Sequence, residues 1–190
     1  MTTLAARAQP ADDVAEVLVS ADEIAAKVRE LGGRIASDYQ GRDLVLVSVL
    51  KGALPLLADL MRATPIPLAL DFLEVSSYGR STESSGVVRI LKDLANPIEG
   101  RHVLVVEDIL DTGRTLGYVF EHLRAQRPAS LRLCVLLDKT ARRVVPIEID
   151  YRGFEIPDKF VVGYGLDYAE RYRNLPFVGV LKPEVYARPS

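Results

Sequence analysis

The chain has 190 residues, 24 Lys and Arg against 26 Asp and Glu, a formal net charge of −2, and 48% hydrophobic residues. That length and apolar fraction suit one catalytic-size domain with a real core, and the charge balance offers no basic stripe for nonspecific nucleic-acid binding. One cysteine excludes an internal disulfide, and neither a secretory leader nor an apolar run of membrane-spanning length is visible, so a cytoplasmic protein without membrane contact is expected.

In chain order, residues 1–13 read as a mobile tail, and Ser20 as the N-cap of a helix over 21–39. Residues 44–50 form an apolar strand ending at Lys51-Gly52, and Pro55 falls in the first turn of a helix carrying Leu56, Leu57, Leu60 and Met61. Pro65 and Pro67 break the chain before an extended segment over 68–75. A further extended segment over 87–91 follows the polar stretch SSYGRSTESSG. Residues 103–106, rich in β-branched side chains, suit a buried parallel strand. Leu116, Val119, Phe120 and Leu123 then recur at helical spacing, and 131–137 and 160–164 supply further strands. Cys134, inside LRLCVLL, reads as a buried small hydrophobe, and His102 and His122 as structural or surface residues. Strands alternating with helices predict an α/β fold with a parallel twisted sheet flanked by helices, in a single domain over 1–190. The Pro- and Gly-rich C-terminal segment does not continue that sheet simply.

The chemistry concentrates in VLVVEDILDTGRTL, residues 103–116. In an open α/β sheet, ligands bind outside the carboxyl ends of strands, so Glu107 and Asp108 there face a ligand crevice. Asp111-Thr112-Gly113-Arg114-Thr115 adds small hydroxyl residues, a glycine that admits close backbone approach, and amides at a helix start. Such a nest favours phosphate, and the helix dipole adds to it. Neither GxxxxGK[ST] nor a GxGxxG after a strand is present, which removes the main support for triphosphate or dinucleotide binding.

This ordered run resembles the signature of the phosphoribosyltransferases, which use 5-phosphoribosyl 1-diphosphate. The resemblance implies that Glu107 and Asp108 hold the ribose hydroxyls. It also implies that Asp111, Thr112, Gly113, Arg114 and Thr115 wrap the 5′-phosphate, chiefly through backbone and hydroxyl groups. Some relatives have lysine in place of Arg114. By the same resemblance Lys51 and Gly52 meet pyrophosphate through the main chain, in a loop whose peptide isomer the sequence does not fix. Ser76, Ser77, Tyr78 and Gly79 begin a lid over the reacting centre, where water would otherwise capture a ribosyl cation.

The stretch GFEIPDKFVVGYGLDYAERYRNLP, residues 153–176, is similar over nearly its whole length to the C-terminal signature of the hypoxanthine-guanine phosphoribosyltransferases. That similarity implies a small hood formed mainly by about 150–190. It implies that Phe160 stacks on a 6-oxopurine, that Val161 offers main-chain groups to its edge, and that Asp167 borders the purine and reaches magnesium. Arg173 then approaches the pyrophosphate, and Lys139 donates to the exocyclic oxygen. On charge alone, Asp138, Lys139, Arg142 and Arg143 would read as a surface turn. Mg2+ is the implied cofactor, with Glu107, Asp108 and Asp167 as its protein ligands, and Asp111 is the expected acid-base residue near the purine N7. The expected assembly is a homo-oligomer, a dimer or tetramer. Two alternatives share the phosphate chemistry or the fold: an enzyme for xanthine or another nucleobase, and a nucleic-acid-binding regulator.

Overall fold

Six strands form a twisted sheet in the order β4-β3-β2-β5-β6-β7. They are β2 (Leu44–Leu50), β3 (Leu68–Ser77), β4 (Val88–Lys92), β5 (His102–Leu110), β6 (Ser130–Asp138) and β7 (Tyr151–Glu155). All neighbours run parallel except β4, which pairs antiparallel with β3. The computed structural model describes residues 9–77 and 88–186.

The continuous apolar runs of β2 and β5 are explained by burial on both faces. Alternate residues enter two cores. Leu44, Leu46, Leu104 and Val106 pack with α1 (Ala21–Asp38) and α2 (Leu54–Ala63). Val45, Val47, Val103 and Val105 pack with α3 (Arg114–Ala125), through Leu116, Val119, Phe120 and Leu123. The start of α1 is fixed by a capping box: Glu23 N donates to Ser20 Oγ at 3.3 Å, and Ser20 N donates to Glu23 Oε2 at 2.8 Å. Its buried face is Ile24, Val28, Leu31 and Ile35. Cys134 is wholly buried, which pushes its thiol up to about 12 and makes it an inert filler. His102 Nδ1 lies 2.8 Å from Ser130 Oγ, and His122 pairs with Asp93 at 2.9 Å.

The topology decides where a ligand can sit. From β2 the chain passes to β3 on one side, whereas from β5 it passes to β6 on the other, so β2 and β5 flank a topological switch point. A crevice opens at the carboxyl ends of such a pair. Lys51-Gly52 and Glu107-Asp108 both lie there.

Several expectations change. The strand expected over 103–106 runs on to Leu110, so the two acids lie within it and not beyond it. The tail expected through residue 13 is replaced at Pro10–Asp13 by a 3-10 turn. Lys182 N donates to Asp13 O at 2.9 Å, and Tyr172 Oη donates to Asp13 Oδ2 at 2.7 Å. The C-terminal hood is revised twice. Tyr151–Glu155 joins the main sheet as its edge, paired parallel with β6. The small second sheet takes a strand from the other end of the chain: β1 (Val14–Val19) pairs with β9 (Val178–Leu181), which pairs with β8 (Val161–Val162). Of the strand expected over 160–164, only that two-residue piece is extended, because Gly163, Tyr164 and Gly165 all have positive φ. A short helix, α4 (Pro183–Tyr186), follows.

Helices α1 and α2 meet closely at one of two adjacent glycines. A Cβ on Gly32 would lie 2.4 Å from the Ala63 carbonyl oxygen, whereas one on Gly33 would meet nothing within 4 Å. Gly32→Ala is therefore expected to lower the unfolding free energy by roughly 1–3 kcal/mol through overpacking. Gly33→Ala should raise it by roughly 0.5–1 kcal/mol, since alanine is the better helix residue at an open site. Urea titrations of the two variants check the opposite signs.

Candidate active site

The floor of the crevice is built by close approach of backbone to carboxylate. A Cβ on Gly52 would lie 1.9 Å from Asp108 Oδ2, and one on Gly165 would lie 1.9 Å from Gly52 O. No side chain fits at either point, so the turn after β2, the acid of β5 and the Gly163–Gly165 bend stack in direct contact. The Leu50–Lys51 peptide before Gly52 is cis. Burial is the main force raising both acids. Glu107 is held well above the usual carboxylate range by burial and by the neighbouring Asp108 charge. Asp108 is raised to about 6, mainly by burial. Two desolvated acids side by side repel, and a cation or sugar hydroxyls relieve that.

Beyond β5 the chain turns through Asp111-Thr112-Gly113 into α3. Gly113 is the residue before the helix and has φ +81°, a conformation that suits glycine. A Cβ there would also lie 2.6 Å from Val145 O. Thr112 O accepts from Val144 N at 2.9 Å and from Val145 N at 3.0 Å, which pins the turn from behind. Arg114 N donates to Thr112 Oγ1 at 3.4 Å. Thr112 to Thr115 thus stand at the positive end of a twelve-residue helix. The Asp111 carboxylate has one oxygen 3.6 Å from Arg142 Nη1. Its Oδ1 is buried with no hydrogen-bond partner among the described residues, an acceptor whose capacity is unused.

The second wall comes from β6 and the hood. Leu110 pairs with Asp138, and Lys139 N donates to Leu110 O at 3.0 Å, so Asp111 and Lys139 leave adjacent strand ends. The Lys139 side chain is almost fully buried. Its Nζ donates to Lys159 O at 2.8 Å and lies 3.4 Å from Asp158 Oδ1, which sets the ammonium against the backbone just before Phe160. Phe160 keeps 49% of its surface exposed, edge-on to Tyr168 with ring centroids 5.8 Å apart. Val161 is buried and opens β8, paired with Val180.

Arg173 crosses from the hood to the floor. It donates through Nη1 to Gly165 O at 2.8 Å and pairs through Nη2 with Asp167 Oδ1 at 2.7 Å. Asp167 Oδ2 accepts from Glu170 N at 2.9 Å, and Glu170 reaches Lys51 Nζ at 3.3 Å. Lys51, Gly52, Asp108, Gly165, Asp167 and Arg173 are therefore neighbours. Glu107, Asp108 and Asp167 do not make one three-ligand cage: among the described residues, no three acid, His or Cys side chains form a group able to hold a metal ion. Hard carboxylate oxygens on the floor and on the loop above it still suit magnesium, provided that a phosphorylated substrate supplies the remaining oxygens. Ser76 and Ser77 end β3, while Tyr78 and Gly79 lie outside the described residues.

Two positions outside the sequence motifs support this wall. Asp138 is fully buried and pairs with Arg143 Nη2 at 2.5 Å and Arg152 Nε at 3.0 Å. Arg143 also donates to Asp111 O at 3.0 Å and Leu110 O at 3.2 Å, so one guanidinium braces both strand ends. The signal for it was an acid ending an uninterrupted apolar strand, which needs a buried partner.

Residues 16–169 match the family model described as a phosphoribosyl transferase domain. The hypoxanthine-guanine phosphoribosyltransferase of Bacillus subtilis is 53% identical over 174 residues, covering 92% of this chain and 97% of that protein. This chain belongs to that family. A crystal structure of a hypoxanthine phosphoribosyltransferase from Staphylococcus aureus superposes with a TM-score of 0.92 at 47% identity, covering 97% of this chain and 100% of that one. The chain also matches the bifunctional protein TilS/HprT of Listeria monocytogenes at 53% identity over 176 residues, 93% of this chain but only 27% of that relative's length. In this phosphoribosyltransferase, no helix among the described residues is long and apolar enough to cross a membrane.

Arg143→Met should destabilise the protein by roughly 3 kcal/mol, because it leaves the buried Asp138 carboxylate short of a partner. The double change Arg143→Met with Asp138→Leu should recover a large part of that loss. Thermal and urea unfolding of the single and double variants measure both.

Proposed function

We propose that the chain transfers the 5-phosphoribosyl group of 5-phosphoribosyl 1-diphosphate to N9 of hypoxanthine or guanine, releasing pyrophosphate and forming IMP or GMP. The observation that carries this reading is the pairing of strand ends: the turn with Asp111 that follows β5 stands beside Lys139 after β6, whose ammonium is held on the Lys159 carbonyl next to the exposed Phe160.

In this reading Glu107 and Asp108 accept the ribose hydroxyls, and Thr112 to Thr115 receive the 5′-phosphate at the start of α3. The diphosphate lies along the main chain of the Lys51-Gly52 turn, with the Lys51 and Arg173 side chains at the rim. Phe160 gives a planar base an aromatic face, Val161 borders its edge, and Lys139 donates to the 6-oxygen. Positive charge develops on the purine as the anomeric carbon bonds to N9. Asp111 Oδ1, an acceptor with no other partner among the described residues, takes a hydrogen bond or proton near N7. Asp108, Glu107 and Asp167 would border a magnesium ion, which would supply charge neutralisation for the diphosphate leaving group. A cytoplasmic setting and a homo-oligomer belong to the same reading and rest on the family resemblance.

Asp111→Asn should slow turnover by roughly 10²–10⁴-fold while hypoxanthine and the diphosphate sugar still bind. Pre-steady-state turnover beside equilibrium binding separates the two effects, and an unchanged rate would take Asp111 out of this role. A competition assay with hypoxanthine, guanine, xanthine and adenine tests the whole reading. Adenine should be a poor substrate, because its amino group meets the Lys139 donor with another donor. Equal use of adenine and hypoxanthine would refute that assignment.

A further inference from the structure

Asp59 and Tyr164 carry no part of the chemistry above, yet they join its two halves. Tyr164 Oη donates to Asp59 Oδ2 at 2.6 Å, across 105 positions of sequence. Asp59 stands on α2, which begins directly after the Lys51-Gly52 turn and is seated by the buried Leu56, Leu57 and Leu60. The other Asp59 oxygen is paired with Arg62. Tyr164 is itself buried and has φ +48°. Its N donates to Leu175 O at 2.8 Å, and the next amide, Gly165 N, donates to Arg173 O at 2.9 Å. The phenol therefore reaches back to α2 while its own backbone is tied to the segment that bears Arg173.

Among the described residues, contacts of three kinds join the Lys51-Gly52 turn and α2 to the 163–173 segment. The Lys51–Glu170 pair has side chains 64% and 68% exposed and holds little. The Gly165–Gly52 contact has no side chain that could adjust, so it registers a separation without preventing one. The phenol–carboxylate bond is polar and has a buried donor, Tyr164, on a carboxylate whose side chain is 40% exposed. Burial and the Asp59 carboxylate raise the phenol far above its ordinary range, so it stays a donor at every working pH.

We propose that the Tyr164–Asp59 hydrogen bond is a positioning device that sets the gap between the diphosphate-binding turn at Gly52 and the loop carrying Asp167 and Arg173. Tyr164 and Asp59 are positioning residues and touch no substrate. The proposal rests on the functional reading above only for the identity of the ligand in that gap.

Magnesium pyrophosphate is the probe, titrated into the full chain by calorimetry, with steady-state constants for hypoxanthine measured alongside. Tyr164→Phe keeps the ring and should weaken pyrophosphate binding roughly tenfold, the loss of one charge-assisted bond with a buried donor. The KM for hypoxanthine should stay within about twofold, because Lys139 and Phe160 are held by other contacts. Asp59→Ala should match it, and the Tyr164→Phe/Asp59→Ala double variant should be no weaker than either single. Asp59→Asn, which retains an acceptor oxygen, should lie within about twofold of the wild type. Unchanged pyrophosphate binding in Tyr164→Phe, additive losses in the double variant, or equal changes for pyrophosphate and hypoxanthine would each overturn the proposal. A wild type that binds magnesium pyrophosphate but does not turn over hypoxanthine would overturn the functional reading instead, and the binding cycle would still decide the tether.

Discussion

Asp108 is pressed between its own strand and the bare Cα of Gly52, and Gly52 is pressed in turn by the bare Cα of Gly165. That stack is the constraint on which the site depends. It brings strand β2, strand β5 and the hood loop to within atomic contact, and it excludes any side chain that would fill the gap. Beside Asp108, Glu107 is buried, and desolvation holds both carboxylates above their ordinary range. Buried, mutually repelling acids are costly to the fold unless something cationic or hydrogen-bonding meets them. At the carboxyl ends of strands beside a topological switch point, such acids stand where a ligand can meet them.

The rim works in the opposite sense. Arg173 already holds the Gly165 carbonyl, Asp167 and Glu170, and Lys51 holds Glu170. An arriving anion therefore competes with carboxylates for these cations. The guanidinium keeps its aim because its backbone-carbonyl bond does not depend on the ligand, whereas the exposed Lys51 pair yields readily. Arg143 plays a comparable part beside β6, where it fixes the Asp111 and Asp138 strand ends.

Much of the architecture was legible in the chain because its signals are local. Strands buried on both faces read as largely apolar runs, and Ser20 announces the first helix. The acids and the Thr-Gly turn lie within a few residues of each other, so one stretch of sequence displays them together. What escaped depends on distant partners. Strand β1 has an exposed Val17 and a mixed pattern, and it becomes a strand only by pairing with β9. Strand β7 is five residues long and contains Gly153, which packs on the Leu136 carbonyl where no Cβ would fit. Arg143 resembles any surface arginine until Asp138 is found buried. The Asp59–Tyr164 bond joins two residues with no common motif, and the isomer of the Leu50–Lys51 peptide has no signature in residue identity.

The pairing of β1 with β9 has a consequence for how the molecule is assembled. The main sheet can close from residues already synthesised, strand beside neighbouring strand. The small sheet must wait until the last strand emerges and travels back to the first, a long loop closure with an entropic toll. On a ribosome, then, the strand ends of β2 and β5 can come together while the small sheet that contains Val161 is still unfinished.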